Sequence, residues 1–309
     1  MILSVSRRTD IPAFYSEWFF NRLKEGFVYV RNPMNIHQIS KVPINPKVVD
    51  CIVFWTKNPK AMLSRLHEIK EYHYYYQFTI NPYNQELEVK VPKKDNVVET
   101  FKELSKKIGS NRVIWRYDPI LFTDKIDIAY HVKYFEELAK RLEGYTRRCT
   151  ISFVDYYQKT ERNLRETKAR ELTENEIFEL SDKLFHIANK YGMCVQTCSE
   201  KVDLESHGIG HGKCIDDKIV EELLGCDIKI SKDKNQRKEC GCVQSIDIGE
   251  YNTCGHNCLY CYASFNNELV DKNRVKHDPE SPLLIGHVQS DDKVKDREVC
   301  PLKRDNLLF

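Results

Sequence analysis

Short apolar runs alternate along the chain with longer, charged segments of amphipathic character. The runs are rich in β-branched and aromatic residues and predict strands at 2–6, 51–56, 74–80, 112–117, 149–154 and 194–198. Helical spacing of apolar residues predicts helices between them, at 14–25, 60–71, 96–108, 127–142 and 173–191. Near-continuous apolar strands that alternate with helices indicate an α/β fold with a parallel sheet.

A seventh strand is predicted at 243–251, followed by a helix at 258–270. The 205–242 stretch and the tail after 272 have no such periodicity and predict irregular accessory structure. The predicted organisation is therefore barrel strands and helices (1–198), a cysteine-containing excursion (199–242), a strand–loop–helix unit that completes the barrel (243–271) and a C-terminal tail (272–309).

Five of the predicted strands end in polar residues. Their ends read SRRTDIP (6–12), WTKNP (55–59), TINPY (79–83), RYDPI (116–120) and SFVDYY (152–157). In a parallel barrel, functional groups gather at the carboxyl ends of the strands. These stretches therefore predict a charged cavity at one mouth of a barrel.

The composition is that of a folded chain without a strong charge bias. Of the 309 residues 41% are hydrophobic and 30% charged, and 48 Lys+Arg against 46 Asp+Glu give a net charge of +2. This balance offers no general electrostatic attraction to nucleic acid or to membranes. The first residues lack a signal-peptide pattern, and no apolar run approaches the roughly 18 residues of a membrane span. We expect a cytoplasmic protein.

Three of the twelve cysteines lie close together in YNTCGHNCLYCYASF, residues 251–265. Cys254, Cys258 and Cys261 have the spacing C-x3-C-x2-C, and Tyr260 precedes the last of them. Thiolates suit zinc or iron–sulfur clusters. Structural zinc requires four ligands, and His256 is the only local fourth candidate. Three thiolates on a [4Fe–4S] cluster leave one iron open to a further ligand, so the spacing favours a cluster.

The segment CGHNCLYC resembles the signature of the radical S-adenosylmethionine (SAM) superfamily, C-x3-C-x-aromatic-C. The resemblance implies a [4Fe–4S] cluster whose open iron chelates the methionine moiety of SAM. It also implies reductive cleavage of SAM to a 5′-deoxyadenosyl radical that abstracts hydrogen from a substrate. A reductant such as flavodoxin or ferredoxin would supply the electron.

The motif stands near the C-terminus, whereas in the superfamily it usually follows the first strand of a partial (β/α)6 TIM barrel. We interpret this position as a circular permutation. It predicts that 243–251 is the first strand in space and pairs in parallel with 2–6. The strands 51–56, 74–80, 112–117 and 149–154 then follow in order, with 194–198 as an added strand.

Two further segments support this interpretation. SRRTDIPAFY and WTKNP are similar to strand-end segments of spore photoproduct lyase and its relatives, and about 1–290 resembles the family known as domain of unknown function 1848. The Gly-Gly-Glu segment that binds the methionine amine in lyase-type enzymes has no counterpart here. By this resemblance and by position at strand ends, the residues expected to bind SAM are Arg8, Thr9, Asp10, Lys57, Arg116 and Tyr260.

Four other cysteines are enough for a second, closed metal site: Cys198, Cys214, Cys240 and Cys242. A second [4Fe–4S] cluster and structural zinc both fit, and auxiliary clusters in the superfamily favour iron–sulfur. Cys198 ends a strand whereas Cys242 precedes one, so the excursion between them has to bring the two together. Cys194 or Cys226 could replace one ligand.

Two alternatives remain open at this point. One is a zinc-stabilised α/β binding protein without catalysis. The other is a radical SAM enzyme of nucleic-acid repair or modification, suggested by the lyase-like segments and by basic runs such as KTERNLRETKAR. The neutral overall charge weakens the second alternative, because phosphate neutralisation drives such binding. The substrate, a small molecule or a nucleic acid, is not identified.

Overall fold

The computed structural model describes residues 1–302. Within them the strands are β1 Ile2–Val5, β2 Phe27–Asn32, β3 Asn35–Pro43, β4 Cys51–Thr56, β5 Tyr74–Thr79, β6 Val113–Ile120, β7 Arg148–Phe153, β8 Cys194–Cys198, β9 Gly210–Gly212, β10 Ile246–Asp247 and β11 Lys293–Asp296. The α-helices are α1 Ile11–Phe14, α2 Ser16–Glu25, α3 Lys94–Ile108, α4 Ile128–Leu142, α5 Gln158–Leu164, α6 Glu174–Lys190, α7 Asp217–Leu224 and α8 Asn267–Arg274. None of these helices has the length and apolar character needed to cross a membrane.

Eight strands form one parallel sheet in the order β10-β1-β4-β5-β6-β7-β8-β9. Leu3 pairs with Ile246, and Ser4 with Asp247. This confirms the predicted pairing of the C-terminal strand with the N-terminal strand, and the next strands follow in the predicted order. The protein has the expected α/β fold with a predominantly parallel sheet.

The strand β10 is much shorter than the predicted 243–251. The carboxylate of Asp247 accepts hydrogen bonds from the hydroxyls of Ser4 and Ser6 and from the backbone N–H of Arg7. Ser6 also lies so close to Gly249 that a Cβ there would be 2.1 Å from the Ser6 hydroxyl. The side chain of Asp247 therefore takes over the contacts to the N-terminal segment where a longer ladder would continue.

The two faces of the sheet pack against different partners, because alternate strand residues point to opposite sides. One face packs against helices, with Ile52, Phe54, Tyr76 and Trp115 among its core residues. The other face packs against the excursion, in an apolar cluster of Ile2, Val53, Tyr75, Ile114, Cys214, Ile215, Ile219, Val220 and Val243. The excursion thus fills the sheet face that the helices leave open.

Two helix predictions are wrong. The 60–71 segment forms two 3₁₀ turns, Lys60–Met62 and Leu66–Ile69, because burying apolar residues three or four apart is satisfied by such turns as well as by an α-helix. The 258–270 segment follows turns beside the cysteines, and α8 begins only at Asn267. Its start is fixed by the side chain of Asn266, which accepts a hydrogen bond from the Leu269 N–H at 2.8 Å.

Strands and a helix also occur in segments for which the sequence predicted irregular structure or no element. The excursion contains β9 and α7, and β11 in the tail pairs in parallel with β3. The antiparallel hairpin of β2 and β3 was missed, and with β11 it forms a three-stranded second sheet. Long-range pairing creates the strands among these elements, whereas α7 is a short amphipathic helix capped by Asp216 that the sequence prediction missed.

Candidate functional site

A cavity of about 440 Å³ lies at the carboxyl ends of the parallel strands, within the size range of small-molecule sites. All five polar strand ends contribute to its lining, through 6–10, 55–57, Thr79, Arg116 with 118–119, and 152–155. The lining includes charged residues of both signs. The predicted charged cavity at the strand ends is therefore confirmed.

The loop between β10 and α8 brings the first thiol group, Cys254, Cys258 and Cys261, to this cavity. The three cysteines are half-buried and free of disulfides. The segment after β5 holds the loop through two backbone hydrogen bonds, from Lys90 N–H to the His256 carbonyl (3.0 Å) and from Leu259 N–H to the Leu87 carbonyl (2.9 Å). The loop is thus anchored in its middle as well as at its ends.

Gly255 allows the loop to pack closely. A Cβ at this position would lie 2.4 Å from Nη1 of Arg274 and 2.9 Å from Cε1 of Phe14. The next turn contains Asn257 with φ 53°, a left-handed conformation that asparagine adopts more readily than most residues. The spacing residues of the motif are therefore fixed by packing and backbone conformation.

The number of thiolates bears on which metal group fits. Structural zinc is closed by four protein ligands, whereas three thiolates on a [4Fe–4S] cluster leave one iron open. The first thiol group supplies three cysteines from one loop. Its donor set therefore suits an open cluster better than a closed zinc site.

Within residues 1–302, the surface side chains of His37, Asp291 and Asp292 bring their ligand atoms within 4.8 Å of one another. Arg31 already forms a two-pronged ion pair with Asp292, at 2.7 and 3.0 Å. His37 lies 3.1 Å from Asp291, and both of these side chains are exposed. An exposed charge cluster of this kind is sufficiently explained by its own ion pairs.

Burial governs the protonation of the first thiol group. It raises the pKa of Cys254 well above its usual range, and it raises the pKa of Cys258 to about 12 although Lys57 acts in the opposite direction. A metal ion binds the thiolate form, so such thiols lose their protons when a metal binds to them.

Asp10 ties three segments together beside the first thiol group. One carboxylate oxygen accepts from the Ala13 N–H and caps α1, and the other accepts from the Lys57 N–H (2.7 Å) and from Nε2 of His256 (2.8 Å). Asp10 is buried. Its contacts make it a positioning residue of the loop rather than a free ligand, and they engage His256 as well.

A buried charged network supports the other side of the loop. Nζ of Lys57 donates to Glu88 at 2.7 Å and to the hydroxyl of Tyr260 at 2.9 Å. Glu88 also pairs with Lys94 and accepts from the Tyr260 hydroxyl, which in turn accepts from Asn81 at 3.1 Å. Burial alone would raise the pKa of Glu88, but Lys57 and Lys94 outweigh it and lower the pKa to about 2. Glu88 is therefore a carboxylate in the folded protein.

Unpartnered polar atoms are concentrated in this cavity. Of eleven buried side-chain N and O atoms without a hydrogen-bond partner in the described residues, six belong to its lining: Thr9 Oγ1, Trp55 Nε1, Thr160 Oγ1, Ser199 Oγ, His256 Nδ1 and Asn257 Oδ1. Buried polar groups in native proteins are nearly always satisfied. Arg8 also lines the cavity, and its guanidinium reaches the Gly249 carbonyl at 3.3 Å. The cavity therefore offers several free hydrogen-bonding atoms to whatever occupies it.

The second thiol group consists of Cys198, Cys214, Cys240 and Cys242, which the fold brings together. The sulfurs of Cys198 and Cys214 lie 2.7 Å apart. Cys214 and Cys240 each contact the sulfur of Cys242. The approach to β10 packs in the apolar cluster between the excursion and the sheet, and Cys242 lines the same cavity as Cys198. Cys194 and Cys226 are exposed and lie outside the cavity lining.

Thiol–thiol hydrogen bonds dominate protonation within the second group. They lower the pKa values of Cys198 and Cys242, and they raise those of Cys214 and Cys240. These hydrogen bonds link the protons of neighbouring sulfurs, and a metal ion would bind the cysteines as thiolates.

Arg116 lies at the second thiol group rather than near the first. Its Nη1 donates to Sγ of Cys214 at 2.7 Å, and its Nε donates to Asp118 at 2.9 Å. The predicted cofactor-binding residues are thus divided. Asp10, Lys57 and Tyr260 contact or lie in the loop of the first thiol group, Arg8 and Thr9 line the shared cavity, and Arg116 contacts the second thiol group.

Residues 2–263 match the family described as a domain of unknown function (DUF1848). The chain belongs to this family. The match spans the parallel sheet, the excursion and both thiol groups, and it ends just after Cys261. No curated protein matches the chain. The DUF1848 assignment therefore carries no substrate, and the chemistry has to be argued from the site.

The sequence did not single out every residue of the site. Asn81 and Asp118 lie in the predicted polar strand ends TINPY and RYDPI, but their individual contacts were not predicted. Trp55 belongs to an apolar strand, and no local signal separates it from the core. Glu88 in particular lies in a connecting segment, and only the loop that folds onto it reveals its role.

Proposed function

We propose that this DUF1848 protein is a radical SAM enzyme with a [4Fe–4S] cluster on Cys254, Cys258 and Cys261. The observation that carries the proposal is the shared cavity of about 440 Å³, in which these three thiols face a concentration of unpartnered buried polar atoms. The three thiolates support a cluster with one open iron over a structural zinc site, which requires four protein ligands.

The residues around the first thiol group suit a cofactor that has both polar and apolar parts. Thr9 Oγ1, His256 Nδ1 and Asn257 Oδ1 offer free hydrogen-bonding atoms, and Arg8 offers a positive charge at the rim. When bound, the cluster and SAM would supply reductive cleavage to a 5′-deoxyadenosyl radical that takes a hydrogen atom from a substrate.

The chain's own contribution is to position the loop and to limit access of water. Asp10 fixes His256 and the backbone of Lys57, while Glu88 fixes the Lys57 and Tyr260 side chains. Because these contacts are buried, the thiols keep their arrangement without help from solvent. Positioning of this kind is the protein's usual contribution in cofactor enzymes.

We also propose that the fold is a circularly permuted (β/α)6-type TIM barrel. The pairing of β10 with β1 supports this, because it places the strand that leads into the first thiol group at the start of the spatial order. The gathering of five polar strand ends around one cavity is a further support. The second thiol group would hold a closed auxiliary [4Fe–4S] cluster or zinc.

The test is anaerobic reconstitution with iron and sulfide, followed by reduction with dithionite or with flavodoxin as the physiological type of donor. We expect 5′-deoxyadenosine and methionine to form from SAM. Changing Cys254, Cys258 and Cys261 to Ala should remove about four irons per chain and abolish this cleavage. A triple variant with full cleavage activity would refute the proposal. A colourless protein that retains only zinc would favour a non-catalytic binding protein instead.

A further inference from the structure

The second thiol group does not lie in a separate knuckle but in the wall of the cavity that the first thiol group also faces. Cys198, Cys214, Cys240 and Cys242 all line that cavity. A site that serves only stability has no need of such a position, since structural metal sites are closed by their ligands. The residues that hold this group therefore also shape the space where a substrate would bind.

Arg116 is the charged residue that contacts this group most directly. It is 5% exposed, and its Nη1 donates to Sγ of Cys214 at 2.7 Å. Asp118 accepts from its Nε at 2.9 Å and from its Nη2. The guanidinium carbon lies 5.1 Å from the centre of the Trp55 ring. Carboxylate, ring and thiol together fix the guanidinium in one orientation.

The backbone of Cys214 is fixed by the neighbouring strand. The Tyr75 hydroxyl and Nε2 of Gln77 both donate to the Cys214 carbonyl, at 2.8 and 2.9 Å. Nη1 of Arg116 also reaches Oε1 of Gln77 at 3.4 Å. Strands β5 and β6 therefore determine the position of both the sulfur and the backbone of this cysteine.

We propose that Arg116 is a positioning residue for a metal centre on the second thiol group, and that it stabilises the negative charge of that centre at the cavity wall. This inference rests on the proposed function, because that proposal supplies the second metal. Metal-bound thiolates are anionic, and a buried anion requires a cationic or hydrogen-bonding partner. Arginine suits this role because its fork binds Asp118 with two N–H groups and leaves another for the thiolate.

The inference has a measurable electrostatic consequence. A reduced iron–sulfur cluster carries one more negative charge than the oxidised form, so a neighbouring guanidinium favours reduction. Loss of the charge should lower the reduction potential of the second centre. A lysine in its place should keep the charge but lose the two-pronged contact to Asp118.

The experiment uses the full-length chain with Cys254, Cys258 and Cys261 changed to Ala, so that only the second centre can be seen. After anaerobic reconstitution, iron and zinc are counted and the potential is measured by titration followed with electron paramagnetic resonance. In Arg116→Gln we expect a potential at least 59 mV lower, which corresponds to a tenfold change in a one-electron equilibrium. Arg116→Lys should retain most of the wild-type potential. Arg170→Gln is the matched control, because Arg170 also pairs with a carboxylate and covers a ring but contacts no thiol.

Each outcome decides the inference. An unchanged potential in Arg116→Gln with full iron content would overturn it. If the centre holds zinc, tenfold faster release to a chelator is the expected effect of Arg116→Gln, and an unchanged release rate would overturn it equally. If Arg116→Gln does not fold, the double change Arg116→Gln with Asp118→Asn removes the unpaired carboxylate, and the same loss is expected.

The two proposals can fail separately. A background variant without iron or zinc would overturn the second centre and the role of Arg116, while SAM cleavage by the protein with all cysteines would still support the proposed function. Absence of SAM cleavage together with an intact, Arg116-dependent second centre would reject the enzyme and retain this inference.

Discussion

The two thiol groups face one cavity but are built in opposite ways. Cys254, Cys258 and Cys261 come from a single short loop, whereas the second group draws on β8, on the connection after β9 and on the approach to β10. A local group depends on the conformation of its loop. A non-local group depends on the whole fold and in return holds distant segments together.

The residues that surround the two thiol groups also differ in character. Cys214, Cys240 and Cys242 belong to the apolar cluster that joins the excursion to the sheet. The first thiol group is anchored mainly by polar contacts, through Asp10 and Glu88. Loss of cysteines from the second group should therefore mainly lower the stability of the fold. Loss of cysteines from the first group should mainly affect the chemistry.

The largest expected effect tests this contrast directly. Changing Cys214 and Cys242 to Ala should lower the free energy of unfolding by at least about 5 kcal/mol, because a structural metal contributes its binding energy to folding. Changing all three cysteines of the first group should cost less than half as much. Anaerobic urea unfolding followed by circular dichroism measures both.

Limited proteolysis shows which part of the chain is destabilised by these changes. In the Cys214 and Cys242 variant, cleavage should appear first within 199–242, and the strands β4 to β6 should remain protected. If the two variants lose equal stability, the second group does not join the excursion to the sheet as inferred.

The same contrast explains what the sequence could reveal. The apolar runs predicted the strands, because buried parallel strands are locally apolar. The pairing of β10 with β1 was predicted from the resemblance of the cysteine motif and its late position in the chain. The spacing of Cys254, Cys258 and Cys261 pointed to one site because the ligands are close in sequence. The position of Arg116 could not be predicted in this way, since the thiol that it contacts is brought there by the excursion.

Glu88 provides the next test, on the side of the first thiol group. Glu88→Gln leaves Lys57 and Lys94 without their buried counter-charge, which should cost about 3 to 5 kcal/mol in the free energy of unfolding. Glu176→Gln is the matched control, because Glu176 pairs with the exposed Arg170 and its pair should contribute about 0 to 1 kcal/mol. Thermal and urea unfolding of both variants measure the difference. Equal losses would mean that the buried network does not support the loop.

The pH dependence of the free energy of unfolding tests a residue of helix α4 that belongs to neither thiol group. His131 on α4 is fully buried between the Tyr117 hydroxyl (2.8 Å) and the Leu121 carbonyl (3.0 Å), and burial lowers its pKa to about 4. The unfolded chain takes up this proton near its ordinary pKa of about 6.5, so stability is lost as the pH falls from there towards 4.

The expected contribution of His131 to this loss is about 2 kcal/mol between pH 7 and pH 5. Replacement of His131 by Gln removes the titrating group. From pH 7 to pH 5 the free energy of unfolding of His131→Gln should therefore fall by about 2 kcal/mol less than that of the wild type. Urea unfolding at the two pH values gives the difference between the proteins. Parallel pH profiles for the variant and the wild type would contradict the assignment.

The smallest expected effect compares one glycine from each thiol group. Gly255 lies between Cys254 and Cys258 under the rigid Phe14 ring and the Arg274 guanidinium, and an added Cβ would come within 2.4 Å of Arg274. Gly241 lies between Cys240 and Cys242, where an added Cβ would come no closer than 3.1 Å, to Cγ of the flexible Lys213 side chain.

Gly255→Ala should therefore cost about 1 to 3 kcal/mol, because overpacking forces the loop to shift. The shift should reduce iron retention by the first thiol group and leave the second unchanged. Gly241→Ala should stay within about 0.5 kcal/mol of the wild type, because the flexible Lys213 side chain can move aside. Iron content after gel filtration and the urea midpoint test both variants. If Gly241→Ala proved the more damaging, the excursion would be packed more tightly than the loop, and the contrast between a locally built and a fold-built thiol group would have to be reversed.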